Sequence, residues 1–100
     1  MNRNNITIKH DQQHQMFSIK LNGGAASLQY DKPEENVLDI KKTYVPESSR
    51  SNGLASLLVK HALDIAYSQS KYVIPSCSFA EDYIEKHPEY EELLYSNKGT

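Results

Sequence analysis

Short stretches of alternating apolar and polar residues occupy the first half of the chain, and a repeat near 3.6 residues dominates the second half. Ile6 and Ile8, then Phe17, Ile19 and Leu21, are each interleaved with polar residues, which predicts two half-buried strands. Asp11 to His14 supplies the reversal between them. Asn22-Gly23-Gly24 supplies the next, because Gly and Asn tolerate the positive φ of tight turns. A third strand presents Ala26, Leu28 and Tyr30 on one face. Asp31 to Asn36 reads as a polar loop, after which alternation resumes over Val37 to Val45 through Leu38 and Ile40. Four consecutive strands with such short connections predict an antiparallel meander.

Pro46 stops the fourth strand and seven polar or glycine residues follow. Leu54, Leu57, Leu58, Ala62, Ile65 and Ala66 then recur at helical spacing and predict one long helix. Tyr72, Val73 and Ile74, within Lys71 to Pro75, form an apolar run that suits a buried fifth strand, reached by a helical crossover and so parallel to its neighbour. Ser76 or Ser78 is a candidate cap for a second helix running to about Glu85, and Pro88 opens a last short helix to Tyr95. The expected architecture is a single α/β domain over residues 1–96: a four-stranded antiparallel meander, a parallel fifth strand, one long helix and C-terminal helices. Residues 97–100 are expected to form a frayed tail.

With 38% hydrophobic and 24% charged residues among 100, the composition is that of an ordinary globular domain with one core. No apolar run approaches the roughly 18 residues that span a bilayer. The polar start, Met1 to Asn5, is not followed by the apolar segment of a secretory signal, so a cytoplasmic location is expected, without a membrane partner. Eleven Lys and Arg against thirteen Asp and Glu leave a charge of −2, which provides no field for holding nucleic acid. Cys77 is the one cysteine, so there is no internal disulfide. His10, His14, His61 and His87 are dispersed and show no metal-ligand spacing with it; no metal is expected.

Chemistry concentrates in Val45-Pro46-Glu47-Ser48-Ser49-Arg50-Ser51-Asn52-Gly53-Leu54-Ala55, a strand end, a polar loop and a helix start. Amides at a helix N-terminus lack internal partners and the helix dipole is positive there, so an anion suits the position. Gly53 and Ala55 are small enough to let a phosphate reach the backbone. A strand, a glycine-containing turn and a helix are common together, so from spacing alone simple chain reversal is the more ordinary reading.

The pattern Arg-x-x-Gly-x-Ala at Arg50, Gly53 and Ala55, following Val45-Pro46, resembles the acetyl-CoA loop of the GNAT superfamily of N-acetyltransferases. Thr43 to Glu47, Val73 to Phe79 and Tyr83 to Tyr90 extend the likeness to a small YjdJ-type branch over residues 37–95; the first two strands match only in order and length. The resemblance implies a sheet whose fourth and fifth strands splay apart, with the pantetheine arm of acetyl-CoA inserted between them. Main-chain groups of Tyr44 and Val45 would pair with pantetheine, and the backbone of Arg50, Ser51, Asn52, Gly53, Leu54 and Ala55 would hold the pyrophosphate. In this branch a histidine is expected before Thr43, where this chain has Lys42.

The same resemblance sets Cys77 beside the acetyl thioester and makes Tyr83 the group that protonates the departing CoA thiolate. As residues alone, Cys77 reads equally as small buried filler and Tyr83 as a packed aromatic. His61, His87 and Tyr90 read as packing or capping residues. Glu81, Asp82, Glu85, Glu89, Glu91 and Glu92 form an acidic run, either a solvated face or a border that favours a cationic amine. The implied activity is direct transfer of acetyl from acetyl-CoA to a primary amine, of a small molecule or of a protein lysine or N-terminus, by a monomer or weak homodimer. The alternative is a non-catalytic module that binds acetyl-CoA or CoA, or an interaction domain without nucleotide.

Overall fold

A computed structural model describes residues 6–95, so the frayed tail assigned to residues 97–100 and the domain limit at residue 96 lie outside the described residues. Five strands form one sheet in sequence order: β1 (Ile8–Asp11), β2 (Met16–Leu21), β3 (Gly24–Glu34), β4 (Val37–Tyr44) and β5 (Tyr72–Pro75). The first four pair antiparallel and β5 runs parallel to β4. Two helices, α1 (Leu54–Ser68) and α2 (Ser78–Lys86), are joined by short 3-10 turns over Glu47–Asn52 and Pro88–Leu93. The expected meander, parallel strand and helical complement are all present.

Alternation decides what the sheet buries. Phe17, Ile19, Ala26, Leu28, Tyr30, Leu38 and Ile40 form one core cluster with Leu54, Leu58, Val59, Ala62, Leu63 and Ala66 of α1. Lys20, Gln29 and Lys41 are exposed, as an antiparallel sheet covered on one side requires. Each fully buried Leu or Phe contributes about 1.5–3 kcal/mol of transfer free energy. Val73 of β5 is fully buried, and a single parallel bridge from Leu94 lies along that strand.

The local departures from the sequence reading have physical causes. The first strand starts at Ile8 and runs on to Asp11, whose carboxylate accepts from the His14 amide at 3.1 Å and fixes the reversal. The polar stretch after Tyr30 is strand rather than loop: β3 continues to Glu34 and a two-residue turn leads into β4. The register shift between Asp31 and Glu34 leaves Pro33 where the ladder is broken, so its missing N–H is not needed. The hairpin between β2 and β3 closes tightly, with Leu21 paired to Gly24 and Gly23 at φ 81°. Nothing lies within 4 Å of a Cβ at Gly23, so the demand there is conformational.

The second register shift positions the site. Tyr30 pairs with Ile40 but Gln29 pairs with Lys42, so Lys41 is an extra residue in β4. Past this bulge the alternation changes phase. Thr43, opposite buried Leu28, takes the core-facing position that even alternation from Leu38 and Ile40 would have given to Lys42.

Candidate functional site

β4 and β5 pair only from Val37 with Tyr72 to Ile40 with Pro75. The Cys77 amide makes one further bond to the Ile40 carbonyl at 2.9 Å, and the two chains then part. β4 continues four more residues, Lys41 to Tyr44, so its edge toward β5 has no strand partner among the described residues. The result is a cleft with β4 as one wall and Ser76, Cys77 and the start of α2 as the other. Tyr44 on the first wall and Phe79 on the second are among the few large apolar side chains left exposed.

The loop above this cleft is shaped by Arg50 and Gly53. Nε of Arg50 donates to the Val45 carbonyl at 3.0 Å and ties the 3-10 turn to the end of β4, while the exposed guanidinium keeps four more donors. Ser49 adds an amide bond to the Pro46 carbonyl at 2.9 Å. Gly53, at φ 71° and ψ 21°, ends the 3-10 turn and is also the N-cap of α1. With no side chain it cannot cap the helix, and the first amide bond back to it comes from Leu57 at 3.1 Å. The amides of Leu54, Ala55 and Ser56, the first three helical residues, are therefore not taken by any capping side chain. Ser51 and Asn52 complete the 3-10 turn.

Cys77 is the N-cap of α2, a position for which the sequence suggested Ser76 or Ser78. The Ser76 hydroxyl instead donates to Asp39 of β4 at 2.5 Å, and Ser78 is the first helical residue. The half-buried thiol lies 3.6 Å from the Thr43 hydroxyl, across the floor of the cleft. Burial pushes the thiol up, but the amides of Ala80 and Phe79 and the Thr43 hydroxyl more than offset this and hold it below its ordinary value. Thr43 and Phe79 escaped the sequence reading as site residues. Thr43 was hidden by the bulge; Phe79 carries a signal of its own, a large apolar side chain on the exposed face of an amphipathic helix.

Tyr83 lies six residues beyond Cys77, about 9 Å along α2. Its ring stacks on His87 at 4.0 Å between centroids and leans on Tyr90 at 6.2 Å. His87 is held by a bond between Nδ1 and the Tyr83 carbonyl at 2.8 Å, so it packs and caps as expected. Burial raises the Tyr83 hydroxyl, which keeps it protonated near neutrality. The neighbouring Tyr90 hydroxyl donates to Asp64 at 2.7 Å, and Lys60 pairs with the same carboxylate at 2.7 Å. Burial and that carboxylate push Tyr90 up to about 12. Cys77, Tyr83 and Tyr90 all pack against the same core cluster.

Part of the acidic run converges as well. Glu81, Glu85 and Glu91 border a hollow of about 360 Å³ with Pro75, Ile84 and Leu94, between α2, the C-terminal turn and the end of β5. Among the described residues, no group of three or more His, Cys, Asp or Glu is arranged to hold a metal ion. No described helix is long and apolar enough to cross a membrane.

Comparison with known proteins identifies this arrangement. The solution NMR structure of a GCN5-like protein from Staphylococcus aureus superposes with a TM-score of 0.72 over 96% of this chain and 98% of that one, at 24% identity, and so shares its fold. Protein NATD1 of Mus musculus is 32% identical over 85 residues, 83% of this chain and 77% of that protein. Protein NATD1 of Danio rerio is 30% identical over 93 residues, 89% and 84% of the respective chains. The family model described as GCN5-related N-acetyl-transferase matches residues 16–93, and with the splayed strands and the open helix start already in place, this chain belongs to that family.

Proposed function

We propose that this chain binds acetyl-CoA in the β4–β5 cleft and transfers the acetyl group directly to a primary amine. The observation that carries the reading is the early end of β4–β5 pairing at Ile40 and Pro75, with the uncapped start of α1 following β4 across one 3-10 turn. The residues present suit such a co-substrate. Amides of Leu54, Ala55 and Ser56 and the spare guanidinium donors of Arg50 suit a pyrophosphate, each charge-assisted bond being worth about 1.5–3 kcal/mol. The free edge of β4 near Tyr44 suits the amides of an extended pantetheine arm, in the manner of an added strand. Gly53 takes the left-handed backbone conformation at the helix start and puts no large side chain in the approach.

Catalysis in this reading rests on positioning. A main-chain donor of β4 would polarise the thioester carbonyl as the neutral amine attacks it and the carbon–sulfur bond breaks. Tyr83, kept protonated by burial, would give its proton to the departing thiolate, and the proton shed by the attacking nitrogen, passed through solvent, would restore it. Cys77 serves as a wall of the cleft, since among the described residues no histidine stands in contact with its thiol to activate it. The hollow bordered by Glu81, Glu85 and Glu91 favours a cationic acceptor. Calorimetric titration with acetyl-CoA and an amine-dependent assay of CoA release test the proposal. Saturable binding with CoA release only when amine is present is expected; binding without amine-dependent release would leave a CoA-binding module, and absence of binding would refute both.

A further inference from the structure

At the opposite end of α1 from Gly53, about 20 Å away for a helix of 15 residues, a separate hollow of about 80 Å³ has no part in the acetyl-transfer reading. Phe17, Leu38 and Ile65 give it an apolar floor, while His10, Lys32 and Lys71 bring basic groups from β1, β3 and the approach to β5. We propose that this hollow binds a compact oxyanion, a phosphate or carboxylate group, seated between Lys32, Lys71 and the His10–Tyr30 pair.

Charge is the first argument. No carboxylate lines the hollow, and among the described residues neither lysine is ion-paired. The nearest opposing charge, Asp11, is already bound to His14 at 2.8 Å. On the α1 side His61 also approaches Phe17, in a T-shaped ring contact at 5.2 Å. Burial first, then the charges of His61, Lys71 and Lys32 outweigh Asp11 and hold His10 below its ordinary value. Like charges drawn together around an enclosed space repel one another unless an anion sits among them.

Preorganisation is the second. His10 is stacked on Phe17 at 4.1 Å and its Nε2 is bonded to the Tyr30 hydroxyl at 2.6 Å, so the ring is fixed. Three carbonyls of the last turn of α1 are already engaged: those of Ile65, Tyr67 and Ala66 accept from the amides of Gln69, Ser70 and Lys71 at 3.0, 3.2 and 2.8 Å.

The test follows the His10 and Tyr30 ring signals by NMR while inorganic phosphate and, separately, acetate are added, each against sodium chloride at equal ionic strength. Saturable shifts at both rings, with the His10 titration midpoint moving upward by roughly one unit, are expected for the preferred oxyanion. The doubly substituted Lys32→Gln, Lys71→Gln chain should bind it roughly tenfold more weakly with unchanged circular dichroism. The stronger of the two titrations tells phosphate from carboxylate. Shifts that chloride reproduces, or that never saturate, overturn the proposal from the wild-type chain alone, and so does undiminished binding by the folded double variant.

Discussion

Replacement of Gly53 separates the backbone demand of the loop from its role as a binding seat. At φ 71° the residue lies in the left-handed region, where a side chain costs about 1–2 kcal/mol. For a domain of this size 1 kcal/mol moves Tm by roughly 4–8 °C, so Gly53→Ala should lower it by roughly 5–15 °C. A co-substrate that binds only the folded state adds about 2.7 kcal/mol at a hundredfold excess over Kd, a rise of roughly 10–20 °C on the same scale. Wild type and Gly53→Ala should both show this rise, because a methyl strains the turn without closing the seat. Gly53→Glu should start as low as Gly53→Ala and show none, since its carboxylate fills and repels. Differential scanning fluorimetry with and without millimolar acetyl-CoA reads all three. An equal rise in Gly53→Glu would show that the phosphates sit elsewhere, and no rise in wild type would remove the binding claim itself.

Iodoacetamide modification of Cys77 should reach half its maximal rate at a pH below that of an ordinary thiol, and Thr43→Val should move that midpoint upward by deleting the hydroxyl bond; an unmoved midpoint would mean Thr43 does not act on the thiolate. Cys77→Ala should retain acetyl-CoA binding and lose only a modest part of turnover, whereas an acetylated Cys77 that decays when amine is added would overturn direct transfer. Tyr83→Phe should lower kcat more than Tyr90→Phe, because the Tyr90 hydroxyl is committed to Asp64; equal losses would argue for a shared packing role. Glu81→Lys with Glu85→Lys should raise KM for a polyamine more than for acetyl-CoA, and matched changes would make the acidic hollow a bystander.

The meander and α1 were legible because each rests on a period: Phe17 and Ile19, Leu28 and Tyr30, and the Leu54 to Ala66 repeat declare their faces without help from neighbours, while the parallel fifth strand was legible from its apolar run and the helical crossover before it. The loop through Arg50 and Gly53 was legible from residue type. Features set by pairing were not. That Lys41 is an extra residue depends on the partner strand, so a β bulge leaves no mark on its own segment, and the approach of Thr43 to Cys77 was hidden with it. Pro33 argued for a loop because proline breaks ladders, yet the shifted register offers a place where no donor is required. His10 and His61 looked unrelated along the chain; only the sheet and α1 bring both into contact with Phe17.

The unpaired edge of β4 carries a second physical meaning. A row of free amides and carbonyls is a template for any extended chain, including a strand from another copy of the same protein. Lys42 stands exposed on this short segment beside Lys41, which is paired to Asp39 at 3.7 Å, and the remaining positive charge opposes the approach of an identical edge bearing the same charge. Lys42, which stands where the family likeness led one to expect a histidine, is the charge that such a pairing would have to bring together across the two edges. If the cleft takes the extended arm proposed for it, charge on its rim is a device that excludes foreign strands and leaves its hydrogen-bonding groups free.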